Sequence, residues 1–224
     1  MTGDCDKGVL LDFDFVAMDG AEALFNAANS VFDGYSLPIA FDKVAEARNF
    51  AGKNMVEAVA GHLSRAKSKR GPEKTAGMIN DAFVEALAAA LPSVPTGDFK
   101  GFLKTISAAG AKIVVFSRLP AADVETALAP CATMLSVHQE TSPVYGAPRL
   151  SAWRRLCAKN ALSELRSVAV TGSAYGLRSA LLSGIPSVAV VRDHVAYQDF
   201  GGADVVSEKI DAALAKKIVK LLRL

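Results

Sequence analysis

The hydrophobic period changes partway along this chain, and that change restricts the fold more than any single motif. From residue 16 to residue 91 apolar positions recur at helical spacing. Ala21, Leu24, Phe25, Ala28, Val31 and Phe32 mark one face, Val56, Val59, Ala60 and Leu63 a second, and Met78, Ile79, Ala82, Phe83, Leu87 and Leu91 a third. No run in this tract reads as a strand. It ends at Leu91-Pro92-Ser93-Val94-Pro95-Thr96-Gly97, whose prolines and glycine suit a hinge or linker. Beyond it, after a helix carrying Phe99, Phe102, Leu103 and Ile106, strands are expected at residues 112–116, 133–137, 168–170 and 188–191. Helices are expected between them at 151–162 and 175–183, the second stopped by Gly184 and Pro186. Val9, Leu10 and Leu11 give one further strand ahead of the helical tract. Apolar strands alternating with helices indicate a parallel sheet covered on both faces. The expected architecture is therefore α/β: a Rossmann-like parallel-sheet core from residues 1–15 and 92–224, with an all-helical domain, residues 16–91, inserted into it.

Bulk properties narrow the function classes. A chain that is 51% hydrophobic and 21% charged folds rather than staying disordered. A net charge of +2 implies no nucleic-acid or acidic-membrane partner. The basic run Arg65-Ala66-Lys67-Ser68-Lys69-Arg70 reads as a solvated helix end. Cys5, Cys131 and Cys157 are widely spaced and without C-x-x-C pairing, so reduced thiols in a cytoplasmic protein are expected. The opening residues lack the order of a signal peptide, and no apolar run is long enough to span a membrane. His62, His138 and His194 are isolated in sequence, which gives little support to a zinc site or a Ser-His-Asp set.

The chemistry concentrates at Leu11-Asp12-Phe13-Asp14, where an apolar run meets a loop. If the strand continues, residues i and i+2 share a face, so Asp12 and Asp14 aim at one space. Paired carboxylates raise each other's pKa unless a cation or strong donor lies between them, and a divalent metal held by Asp12 and Asp14 is the economical resolution. Both aspartates simply ending a strand and capping a turn is the plainer alternative. A strand-end carboxylate can attack phosphorus while a neighbour serves as acid and base, which would make Asp12 the nucleophile and Asp14 the general acid/base. Ser117, ending the next strand, is placed to hold phosphoryl oxygens, with Arg118 adding charge. Ligands in such sheets bind at the carboxyl ends of strands, where all of these fall.

At these residues the chain resembles the haloacid dehalogenase-like hydrolases, in particular their helical-cap branch of phosphoglycolate phosphatase-like and β-phosphoglucomutase-like members. The opening D-x-D-G-V-L-x-D-S is similar to Asp12-Phe13-Asp14-Phe15-Val16-Ala17-Met18-Asp19-Gly20. The segment ending Val114-Val115-Phe116-Ser117 is similar to the second motif, whose Ser or Thr binds phosphate. The resemblance implies that residues 16–91 are a cap, with Arg48 and Lys53 in its specificity loop as substrate contacts, and that magnesium is the cofactor. A small phosphorylated metabolite is the implied partner; oligomeric state is not legible.

Two departures oppose the likeness. Ala147, in Gly146-Ala147-Pro148-Arg149, stands where the third motif has its Lys, and Gly172, in Thr171-Gly172-Ser173, stands where the fourth has a metal-binding Asp. Arg149 is the candidate replacement for the missing positive charge; nothing obvious replaces the missing ligand, Asp193 reading rather as a surface residue after a strand. Magnesium is then held weakly or not at all. Three readings follow: the expected one, a phosphatase or phosphomutase-like hydrolase forming an aspartyl-phosphate on Asp12; its alternative, a catalytically silent relative serving as a binding or regulatory module; and carbon–halogen hydrolysis. The last is disfavoured because that branch of the family typically lacks an Asp at the position of Asp14. Restoring Gly172→Asp with Ala147→Lys is expected to raise magnesium affinity if the pocket is otherwise intact.

Overall fold

The structure, a computed structural model, describes residues 6–94, 97–132, 134–144 and 146–222. Cys5, Pro95-Thr96 of the linker and Thr133 of an expected strand lie outside the described residues.

Strand β1 (Gly8–Asp12) is buried along its whole length, as its unbroken apolar sequence requires, and a single helical turn, α1 (Phe13–Val16), follows without a gap. Four helices come next: α2 (Gly20–Asp33), α3 (Lys43–Asn49), α4 (Met55–Arg65) and α5 (Pro72–Ala90). The chain then alternates through α6 (Gly97–Ala108), β2 (Lys112–Ser117), α7 (Ala121–Leu128), β3 (Leu135–Gln139), α8 (Leu150–Lys159), β4 (Ser167–Thr171), α9 (Ala174–Leu182), β5 (Ser187–Val190), β6 (Val205–Ser207) and α10 (Ala212–Leu221). The strands form one parallel sheet in the order β3-β2-β1-β4-β5-β6.

Both faces of the sheet are covered, as strand composition dictates. Val9, Leu11, Ile113, Val115, Val168 and Val170 point to the face packed by Phe102, Ile106 and Ile218, while Leu10, Val114 and Ala169 point to Trp153, Leu156 and Ala180. Helix α10 buries Leu214 and Ile218 and packs on α6, which accounts for the apolar face of the C-terminal segment. The register sets Asp12 opposite Phe116 and Leu11 opposite Val170. The carboxyl ends of β1, β2 and β4 therefore meet at one point above the sheet.

The helical block packs as α2 on α5, with α4 beside α5 and α3 beside α4, around Phe25, Phe32, Phe41, Phe50 and His62. It sits closely on the sheet. Phe15 tilts against Phe83 with ring centroids 5.9 Å apart, and the Met55 N–H donates to the Val144 carbonyl at 2.8 Å. Helix α4 opens on a capping box, Asn54 accepting from the Glu57 N–H at 3.0 Å while Glu57 accepts from the Asn54 N–H at 3.4 Å. Asn54→Ala removes this and is expected to cost about 1 kcal/mol in urea denaturation.

Three sequence expectations need correction. The strand does not continue through Asp14: the backbone turns helical at Phe13, so pleat alternation does not position that carboxylate. The helix expected to reach residue 162 stops at Lys159, with Ala161 at φ +54°. Edge strand β6 is missing from the sequence expectation, because Val205-Val206-Ser207 is too short to show a period and lies half-buried to exposed at the sheet edge. Among the described residues no helix is long and apolar enough to cross a membrane.

Candidate active site

Asp12, Asp14, Ser117 and Arg118 do converge, all at most 2% exposed. Asp12 ends β1, and its Oδ2 accepts from the Thr171 hydroxyl at the end of β4 at 2.6 Å, while Oδ1 has no partner. Asp14 is carried over β2 by the α1 turn. Its Oδ1 accepts from the Ser117 hydroxyl at 2.5 Å and its Oδ2 from the Arg118 backbone N–H at 2.8 Å. The Arg118 side chain runs to the helical block, where Nη1 donates to Asn80 Oδ1 at 2.6 Å and to the Ser142 carbonyl at 2.8 Å. Its Nε and Nη2 are buried and have no partner.

Burial sets the electrostatics. Desolvation pushes the Asp12 carboxyl well above the usual range, and the neighbouring Asp14 charge adds to this against the Thr171 hydrogen bond and Arg118. Asp14 is pushed up to about 6, again by burial, with Ser117 and Arg118 opposing. Arg118 is lowered by burial and held up by Asp14, Glu140 and Asp12. It is thus the cation whose field reaches both aspartates.

The other candidates fall elsewhere. Arg149, the expected substitute for the missing Lys, lies with Nε 3.9 Å from Glu140 Oε2 at the start of α8. Lys53 is exposed, donates to the Arg48 carbonyl at 3.4 Å, and lines a cleft between helical block and sheet together with Phe15, Glu46, Ala147, Ser173 and Gln198. Arg48 is exposed and does not line that cleft. Asp193 is exposed in a turn bordering a separate groove. The cleft encloses only about 50 Å³, and neither Asp12 nor Asp14 lines it.

Residues that sequence reasoning passed over complete the picture. Thr171, a strand-end hydroxyl like Ser117, grips Asp12. Glu46 on α3 pairs with His194 at 3.2 Å, a further polar tie between block and core. Phe15 stands where the quoted opening motif has Gly, and that mismatch was visible in the sequence. Its backbone fills the gap at Gly172: a Cβ on Gly172 would lie 2.1 Å from the Phe15 carbonyl oxygen.

These residues do not fit magnesium. Both Asp14 oxygens are engaged by Ser117 and Arg118, leaving Asp12 Oδ1 as the one unspent carboxylate oxygen of the pair. There is no space for a third carboxylate at 172, and among the described residues no group of three or more His, Cys, Asp or Glu side chains converges on a point. Magnesium can rely on one or two carboxylates when waters complete its octahedron, but a side chain 1% exposed offers no room for them.

A six-stranded parallel sheet with a helical block between β1 and β2 is a fold shared with solved structures that include a β-phosphoglucomutase described as putative and a HAD family hydrolase. No family model and no curated protein matches the sequence. Among solved structures, a β-phosphoglucomutase described as putative, from Bacteroides vulgatus, superposes with TM-score 0.69 at 14% identity, covering 99% of this chain and 93% of that one. CbbY from Rhodobacter sphaeroides in complex with phosphate gives 0.66 at 17%, covering 93% and 96%. A HAD family hydrolase from Deinococcus radiodurans gives 0.58 at 18%, covering 98% of each chain. At these identities the likeness establishes the fold.

Proposed function

We propose that this protein is a cytoplasmic, phosphatase-fold binding or regulatory module for a small phosphorylated molecule, without magnesium-assisted hydrolysis. The single observation that carries the reading is the contact at Gly172, where the Phe15 carbonyl occupies the place a metal-binding side chain would need. Ala147 in place of the Lys, and two carboxylates that burial drives toward their neutral forms, support it, because a protonated Asp12 is a poor nucleophile. The ligand class is argued from Ser117 at a strand end and from structural neighbours: CbbY has been solved with phosphate and with xylulose-1,5-bisphosphate. In this reading residues 16–91 act as a cap, with Lys53 facing the entering ligand from the cleft wall.

One observation favours the competing reading, a hydrolase forming an aspartyl-phosphate on Asp12 with Asp14 as acid and base: those carboxylates and Ser117 share one buried point. An aryl phosphate assay with and without magnesium separates the two. Wild type and Asp12→Asn are expected to show equal rates with no stimulation by the metal. A magnesium-dependent rate that Asp12→Asn abolishes would establish the hydrolase.

A further inference from the structure

The Ser117 hydroxyl and the Arg118 backbone N–H both point at one carboxylate, which uses one oxygen for each. That is the geometry with which a strand-end loop holds two oxygens of an oxyanion. Here the anion is covalently part of the chain. Arg118 lies beside it with two buried donors unspent, its remaining reach fixed by Asn80 and Ser142. Buried polar atoms are nearly always paired, so unspent donors next to a filled cradle mark a site built for more negative oxygen atoms than Asp14 supplies. A phosphate dianion cannot join it there, because Asp14 already takes both the Ser117 hydroxyl and the Arg118 N–H.

We infer that Asp14 is an internal occupant of the anion cradle formed by the Ser117 hydroxyl and the Arg118 N–H, and that a tetrahedral oxyanion binds there only when Asp14 leaves. The α1 turn is then the moving part. When Asp14 withdraws, the ligand takes over its two hydrogen bonds and finds the free Nε and Nη2 of Arg118. Phe15, next in the turn, moves with Asp14, so occupancy of the cradle is coupled to the Phe15–Phe83 contact that seats the helical block. The inference rests on the binding-module reading and specifies how its ligand site is gated.

The test is titration of wild type, Asp14→Ala and the double variant Asp14→Ala/Ser117→Ala with inorganic phosphate at neutral pH, followed by calorimetry, with circular dichroism confirming that each is folded. Asp14→Ala is expected to bind phosphate at least about tenfold more tightly than wild type, and the double variant to lose that gain. A folded Asp14→Ala with no gain overturns the inference, as does a wild type that binds as tightly as the variant. Should Asp14→Ala fail to fold, Asp14→Ser, too short to reach both donors, is read in the same way. Phosphatase activity in wild type would sink the binding-module reading without touching this result, and absent phosphate gain would sink the gating while leaving the hydrolysis assay unaltered.

Discussion

Gly172→Asp is expected to destabilise the protein severely and to create no magnesium site. The Cβ that any replacement adds would stand 2.1 Å from the Phe15 carbonyl oxygen, 2.8 Å from its carbon and 3.1 Å from the Phe15 Cβ. Two of these atoms are backbone, so no rotamer change relieves the contact. Retreat of the turn would break the Phe15–Phe83 contact and both Asp14 hydrogen bonds with no incoming anion to replace them. Overpacking a core typically costs about 1–3 kcal/mol, and burying a further carboxylate beside two already pushed toward neutrality adds a similar amount. The expected loss is about 4 kcal/mol or more in urea denaturation, a large part of the stability of an ordinary domain. Gly172→Ala isolates the steric share and should by itself give about half. Ala147→Lys, added to restore the motif, does not move the Phe15 carbonyl and is not expected to rescue the variant. A Gly172→Asp protein with wild-type stability and magnesium affinity would mean that the α1 turn yields freely.

The same contact shows where the sequence stops being informative. Fully buried parallel strands are written as unbroken apolar runs, so β1, β2, β4 and β5 are legible to within a residue or two, and the helical period of residues 16–91 separates the block from the sheet. Asp12 and Ser117 were legible because strand ends in a parallel sheet must lie side by side once the strands pair. Asp14 is aimed beside Asp12 in the sequence reading only by strand alternation, and a four-residue segment such as Phe13-Asp14-Phe15-Val16 does not reveal its period. The identity of Gly172 was legible, but its cause was not: only the folded chain brings the Phe15 carbonyl across from the end of β1. Arg149 looked like the nearest replacement cation because it lies two residues from Ala147, whereas Arg118 serves the aspartates through the pairing of β1 with β2. Both arginines are named from the sequence; the fold sets Arg118 against the aspartates and Arg149 beside Glu140.

Asp14→Asn is expected to gain stability over wild type as pH rises, by about 3 kcal/mol between pH 3 and pH 7.5. The Asp14 carboxyl ordinarily titrates at 3.8 and is raised to about 6 in the folded protein. Between those values the native state binds more protons than the unfolded one, so wild-type stability is fully present below the unfolded value and falls as pH rises through the folded one. A shift of about two units corresponds to about 3 kcal/mol. Asp12 is raised for the same reason and pulls in the same direction. His62 pulls the other way: buried without a hydrogen-bond partner on either nitrogen, it is held below its ordinary value and destabilises the fold as pH drops. The wild-type curve mixes these signs, and the difference between wild type and Asp14→Asn cancels groups that Asp14 does not influence, His62 among them, leaving Asp14 with the part of the Asp12 shift that the Asp14 charge causes. The amide retains an acceptor for the Ser117 hydroxyl but turns its NH2 toward the Arg118 N–H, a penalty that does not vary with pH and so shifts the difference curve without tilting it. Urea midpoints measured at half-unit steps should therefore separate steadily from about pH 3 and stop separating above about pH 7. A flat difference would mean that Asp14 titrates like a solvated carboxylate and that the cradle stands open, which would remove the basis for an internal occupant.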